Sequence, residues 1–287
     1  MKGGGYYNLS AMDNLTLAFI GGGNMAAALA SGLAGKICAA GDIHVIDINE
    51  AGHEAWRARG MTTATQPDEA LRRCKAWVYA VKPQHMREAV LQSKPWLAPD
   101  TLIISIAAGI RADTLAGWLG EAGKPWQRLV RCMPNTPALV GAGMTGLAAM
   151  PGVTEADRAL AACLLQSVGE VVWVDGDAGL DAVTALSGSG PAYVFLLLEA
   201  LAAAGQAVGL TEAQAHQLAQ ATVAGAAKLA GQSSDTPAVL REKVTSKGGT
   251  TAAALEVFKQ AGFADIVRDA VQAAARRSRE LAEEFGK

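Results

Sequence analysis

A doubly wound α/β domain followed by an all-helical domain is the architecture this sequence predicts, and three observations predict it. From Asp13 to about Asp175, short β-branched or apolar runs alternate with helical segments. A glycine turn, Gly21-x-Gly23-x-x-Ala26, directly follows the first run and directly precedes an alanine-rich segment. Beyond VDGDAGLD every segment reads at helical period, with no strand pattern left. The expected domains are 13–175 and 176–287. Residues 1–12 are expected to be a disordered or tag-like extension, because MKGGGYYNLSA lacks the basic and apolar regions of a signal peptide.

The expected strands are LTLAFIG, IHVID, WVYAV, TLIISI, RLVRC, TGLAAM and EVVWV, with helices between them over 25–34, 50–59 and 86–93. Strand, crossover helix and strand in series imply a mostly parallel sheet covered on both faces. In the second domain helices are expected over 191–208, 211–230, 237–245, 250–260 and 264–285. Thr211 before Glu212 offers a cap, and Pro191 stands where a missing N–H costs little.

Bulk properties narrow the partners. The 287 residues are long enough for two domains, since one core stops growing at roughly 250–300 residues. A net charge of -2 without a Lys/Arg block argues against nucleic acid and anionic membrane, and for a small molecule. Cys38, Cys74, Cys132 and Cys163 stand far apart and the four histidines are scattered, so no metal cluster is expected. The cysteines read as buried thiols of a reducing compartment, the cytoplasm. Gly, Lys or Asp interrupts each apolar run before the roughly 18–20 residues of a membrane span. Tyr193 to Ala204, YVFLLLEALAAA, holds one charge, Glu199, and leaves no face for water. This predicts burial against another subunit in a homodimer or higher oligomer; the other reading is a helix at the centre of a monomeric bundle.

The glycine turn makes the first domain Rossmann-type. Gly21 permits the tight turn, Gly23 lets the backbone approach a pyrophosphate, and Ala26 allows close helix packing. Asp47 stands 26 residues beyond Gly21, where a carboxylate bonds the adenosine ribose. That leans toward NAD, since a 2′-phosphate there is repelled unless Asn49, Arg57 or Arg59 compensates; a strand-end turn residue is the plainer reading. In AVKPQ, Lys82 either faces the phosphates or is a solvated lysine before a helix-starting proline. The small residues of SIAAGI leave room for a nicotinamide.

Hydride transfer to a carbonyl calls for an acid, commonly Lys or His. No lysine follows the turn SGSGPAYVFLLLEA, and among the motifs only AVKP has a histidine beside it, His85. A protonated imine needs only positioning and one hydroxyl, which a threonine supplies.

With FIGGGNM, AVKP, SIAAG, RCMPNTPALVGAGMT, SGSGPAYVF and VTSKGGTT in that order, the chain from Leu15 onward resembles the pyrroline-5-carboxylate reductases. The resemblance implies reduction of 1-pyrroline-5-carboxylate to L-proline, with reduced NADP or NAD as cofactor, in a homodimer or larger oligomer with interlocking helical domains. It places cofactor contacts on Ile20, Gly21, Gly22, Gly23, Asn24 and Met25, on Ala80, Val81, Lys82 and Pro83, and on Ala107, Ala108 and Gly109. It places the substrate carboxylate on the N–H groups of Gly248, Gly249 and Thr250, and the ring nitrogen at the hydroxyl of Thr251. Ser246 and Met133-Pro134-Asn135 line the rest. Many members carry Pro at the position of Lys247, and some carry Asn at that of Lys243. The alternatives are a reductase for another cyclic imine, a hydroxyacid dehydrogenase, and a non-catalytic dinucleotide-binding sensor in which SKGGTT is only a helix cap.

Overall fold

The computed structural model describes residues 15–286, so the extension expected over residues 1–12 lies outside the described residues. Two compact units form: one runs through Gly188 and takes in the chain again from Ala274, and the other is Ser189–Ala273.

The first unit is built on one sheet. Its strands are β1 (Leu17–Ile20), β2 (Ile43–Ile46), β3 (Thr62–Ala64), β4 (Ala76–Tyr79), β5 (Leu102–Ser105), β6 (Leu129–Met133), β7 (Gly143–Ala149) and β8 (Gly169–Trp173), in the order β3-β2-β1-β4-β5-β6-β7-β8. Neighbouring strands are parallel except β6 and β7, which run antiparallel. The helices are α1 (Asn24–Leu33), α2 (His53–Arg57), α3 (Pro83–Ser93), α4 (Ala112–Leu119), α5 (Glu155–Gln166) and α6 (Gly176–Val183).

Every residue of β1, β2, β4 and β5 is buried. A strand covered on both faces reads as an unbroken apolar run, which is why these were legible. Along β1 the residues alternate between two cores. Leu17 and Phe19 join Leu29 and Leu33 of α1 and Leu164 and Leu165 of α5. Ala18 and Ile20 join Met86 and Val90 of α3 and Leu115 and Leu119 of α4. Order reverses between β1 and β4, so the carboxyl ends of β2, β1 and β4 flank the crevice where α/β sheets of this kind take ligands.

Arg128 and Asp157 fasten α5 to the start of β6. Asp157 sits at the third position of α5, where it and Thr154 form a reciprocal capping box, and it accepts from Arg128 Nη2 at 2.6 Å. Burial pushes its carboxyl up, but bonds from Arg128 and Thr154 outweigh that and hold it below the usual carboxylate range. A depressed folded-state pKa stabilises above the unfolded value and is lost as pH falls through the folded one. Asp157→Asn is therefore expected to lower stability by about 1–2 kcal/mol at pH 7. In urea titrations the gap from wild type should close below about pH 4; a gap constant down to that pH would contradict the charge argument.

The second unit holds α7 (Gly190–Ala207), α8 (Glu212–Gln232), α9 (Pro237–Lys243), α10 (Thr250–Gln260) and the start of α11 (Phe263–Phe285), which ends in the first unit. A Cβ at Gly205 would stand 3.0 Å from Ala215 Cβ, so α7 and α8 cross at close range on small residues. Thr211 and Gln214 form the capping box that starts α8. Leu197, Leu201, Phe258 and Phe263 line an apolar hollow, with the two phenylalanine rings edge to face at 5.3 Å.

Three expectations need correction. The short β3 was not foreseen. The chain also stays helical through a π-turn at Thr184–Gly188, joining α6 to α7 in one run, Gly176–Ala207. Among the described residues this run is long and apolar enough, by length and composition, to cross a membrane, because the glycines expected to interrupt it stand inside the helical run without ending it. Finally, Cys38, Cys74 and Cys132 are buried but Cys163 is only partly so. Burial pushes the Cys38 and Cys74 thiols up to about 11.

Candidate functional site

A cleft of about 490 Å³ opens at the carboxyl ends of β1, β2 and β4. It is lined by Ile20 to Gly23 after β1, Ile46 to Asn49 after β2, Ala80 to Lys82 after β4, and His85, Glu88, Ala89 and Gln92 of α3, with Thr65 and Pro67 at its far end. The volume suits a cofactor-sized ligand.

The glycine turn is shaped by its neighbours. Gly21 has φ 103°, and a Cβ there would stand 2.7 Å from the Ala80 carbonyl carbon. Gly21 also donates its N–H to Ile46 O at 2.8 Å, knitting β1 to β2 at the rim. A Cβ on Gly22 would stand 2.8 Å from Asp47 Oδ2. At Gly23 a Cβ would meet nothing within 4 Å, which is the room a pyrophosphate requires at the start of α1. Helix α1 begins there with no side-chain cap and no acidic residue in its first turn, so its free N–H groups and positive dipole end are available to an anion. These residues fit a dinucleotide.

Gly21→Ala is expected to cost about 2 kcal/mol or more, since the residue must hold a left-handed φ against a backbone wall. The urea midpoint would report the loss, and fluorescence titration should show weakened NAD(P)H binding. Undiminished binding would mean that the turn tolerates a side chain.

Asp47 is fixed on every side. Its Oδ2 accepts from Gly22 N at 2.5 Å and its Oδ1 from Asn49 N at 2.8 Å. Its own N–H donates to Ala64 O, and its carbonyl lies 2.7 Å from His53 Nε2. The two readings of Asp47 thus coexist: it closes the turn after β2 and also presents a carboxylate on the cleft wall.

The remaining cofactor positions fall in three places. Lys82 lines the cleft as the exposed residue before Pro83, the first residue of α3. Asn24 and Met25 form the first turn of α1. Ala107, Ala108 and Gly109 follow β5 and are not among the residues lining the cleft. Gly109 has φ 74°, and a Cβ on it would stand 3.0 Å from Phe285 Cδ2. The last turn of α11 therefore backs this loop, a neighbour that the sequence reading missed and that no local signal could have supplied.

Asn135 has both ends of its amide in use. Its Nδ2 donates to Ser187 O and Oγ at 3.1 and 3.3 Å, and its Oδ1 accepts from Met144 N at 2.9 Å. It ties the end of β6 to the π-turn. Arg131, buried two residues into β6, pairs with Asp177 of α6 beneath it.

In the second unit, Ser246 to Thr251 form a turn leading into α10. Gly249 precedes α10 as its cap residue, with no side-chain cap bond and no acidic residue in the first turn. By helix geometry the N–H groups of Thr250, Thr251 and Ala252 have no partner inside the helix. The Gly249 N–H donates to Ser246 O at 3.0 Å, closing the turn. Lys243 pairs with Asp235 at 2.5 Å, while Ser246, Lys247 and Gly248 are exposed.

Comparison with known proteins agrees with this anatomy. The family model described as pyrroline-5-carboxylate reductase dimerisation matches residues 177–281, and that described as NADP oxidoreductase coenzyme F420-dependent matches 16–109. Pyrroline-5-carboxylate reductase of Pseudomonas aeruginosa is 42% identical over 96% of this chain and all of that protein. Among solved structures, a pyrroline-5-carboxylate reductase from Coxiella burnetii superposes with a TM-score of 0.88 at 35% identity, covering 94% of this chain and 99% of that one. Pyrroline carboxylate reductase of Plasmodium falciparum, solved with NADP bound, gives 0.81 at 30% identity over 94% of this chain and 99% of its own. On motifs, fold and near-complete coverage, the chain belongs to the pyrroline-5-carboxylate reductase family.

Proposed function

We propose that this protein reduces 1-pyrroline-5-carboxylate to L-proline with NAD(P)H, and that the mouth of α10 is where the substrate is held. The observation that carries the second part is an uncapped helix start with two threonines and no carboxylate in its first turn. Such a start binds a small carboxylate through free N–H groups and the helix dipole. Gly248, Thr250 and the turn around Ser246 hold that carboxylate, and Thr251 sets its hydroxyl beside the ring nitrogen. A nicotinamide held in the cleft would supply the hydride for the imine carbon, and the nitrogen would keep its proton. The chain's own work is positioning: an iminium needs no strong acid, and α7, whose one charge is Glu199, brings none.

On this reading residues 13–175 form the cofactor domain, from Ile20–Met25 through Ala107–Gly109, and residues 176–287 form the substrate and dimerisation domain. The match of the dimerisation model to 177–281 supports that division, whereas the compact units divide elsewhere, with 176–188 and the chain from Ala274 grouped with the sheet. The apolar surface of α7 meets a second copy of the chain. On the same reading the protein works in a reducing compartment, the cytoplasm. The test is to follow NADH and NADPH absorbance with pyrroline-5-carboxylate and assay for proline. Imine-dependent oxidation with stoichiometric proline is expected; cofactor binding without turnover would leave the sensor reading instead.

A further inference from the structure

We propose that the cofactor cleft selects NADH over NADPH, with Asp47 as the selecting residue and Glu50 reinforcing it. The inference rests on the reading that this cleft holds the dinucleotide.

Asp47 is a fixed charge at the end of β2. Two backbone N–H groups, of Gly22 and Asn49, occupy one acceptor site on each of its oxygens. An ionised carboxylate has about four such sites, so lone pairs remain for sugar hydroxyls. The same bonds keep the carboxylate from swinging away when a larger group arrives.

The surroundings offer a phosphate little compensation. A second hollow shares Thr65 and Pro67 with the cleft and holds Glu50, Asp68 and Arg57. Across the two hollows, four carboxylates, Asp47, Glu50, Asp68 and Glu88, face two side chains of fixed positive charge, Arg57 and Lys82. Arg59 is committed elsewhere: it donates to Ser31 Oγ and stacks over the Trp56 ring at 5.7 Å. A 2′-phosphate would thus bring negative charge to an acidic rim with a carboxylate that cannot retreat. A 2′-hydroxyl would find an acceptor.

The test is equilibrium binding without imine: intrinsic fluorescence titrations and thermal-shift measurements with NADH and with NADPH, on wild type, Asp47→Ser and Glu50→Lys. Wild type is expected to bind NADH about tenfold tighter or more. Asp47→Ser should bring the two affinities to near parity, mainly by strengthening NADPH. Because Asp47 also anchors the glycine turn, Glu50→Lys gives an independent check. Glu50 is exposed and lies outside that network, and reversing its charge should tighten NADPH severalfold more than NADH. Equal or tighter NADPH binding in wild type, or a ratio unmoved in both variants, overturns the selection and leaves the reductase reading standing. Failure of both dinucleotides to bind overturns both.

Discussion

Thr251→Ala folds, binds NAD(P)H as wild type does, and loses about 100-fold in kcat/KM for pyrroline-5-carboxylate; a hydroxyl aligned with a reacting nitrogen has an effect of that order. Stability should be spared, because α10 starts without a side-chain cap bond, so the residue is not holding the helix together. This separates two roles for the turn. If Thr251 were only part of a helix start, the variant would shift the melting temperature and leave turnover alone. Thr251→Ser keeps the hydroxyl and should recover most of the rate. Full activity in the alanine variant would remove Thr251 from the mechanism.

The second large effect concerns assembly. In the isolated chain Phe195 is 58% and Leu196 66% exposed on α7. Burying each is worth about 1.5–3 kcal/mol per side chain, and a symmetric interface counts every residue twice. Phe195→Asp combined with Leu196→Asp is expected to yield a single-chain mass in sedimentation at micromolar concentration. Helical content and cofactor binding should stay intact while imine reduction is lost, because the substrate turn and α7 belong to the same dimerisation region. Retention of the oligomer would show that this face is not the interface.

Much of this could be read in advance, for identifiable reasons. Strands buried on both faces are continuous apolar runs, and the glycine turn carries its own strand and helix context, so β1, α1 and the cleft beside them were legible. The π-turn at Thr184–Gly188 was not, because serine and glycine signal a break, while only tertiary support shows that the helix continues. Nor was β3, whose three residues, Thr-Thr-Ala, become a strand only by pairing with β2. At the site the difference is one of partners. Asp47 could be placed at the end of β2 by counting, but its bond to Gly22 joins residues 25 apart in sequence. The partners of the Asn135 amide, Ser187 and Met144, lie 52 and 9 residues away and could not be read from its motif.

The end of α11 bears on how this protein is best handled in the laboratory. Phe285 lies against Gly109, and Ser278 donates to Asp181 at 2.6 Å nearby on the same helix. An affinity handle fused directly after the last residue would tug on the turn that braces the loop after β5, two residues from that junction. A preparation carrying its tag there should show weaker nicotinamide binding than one cleaved clean, so purification handles belong at the other end of the chain.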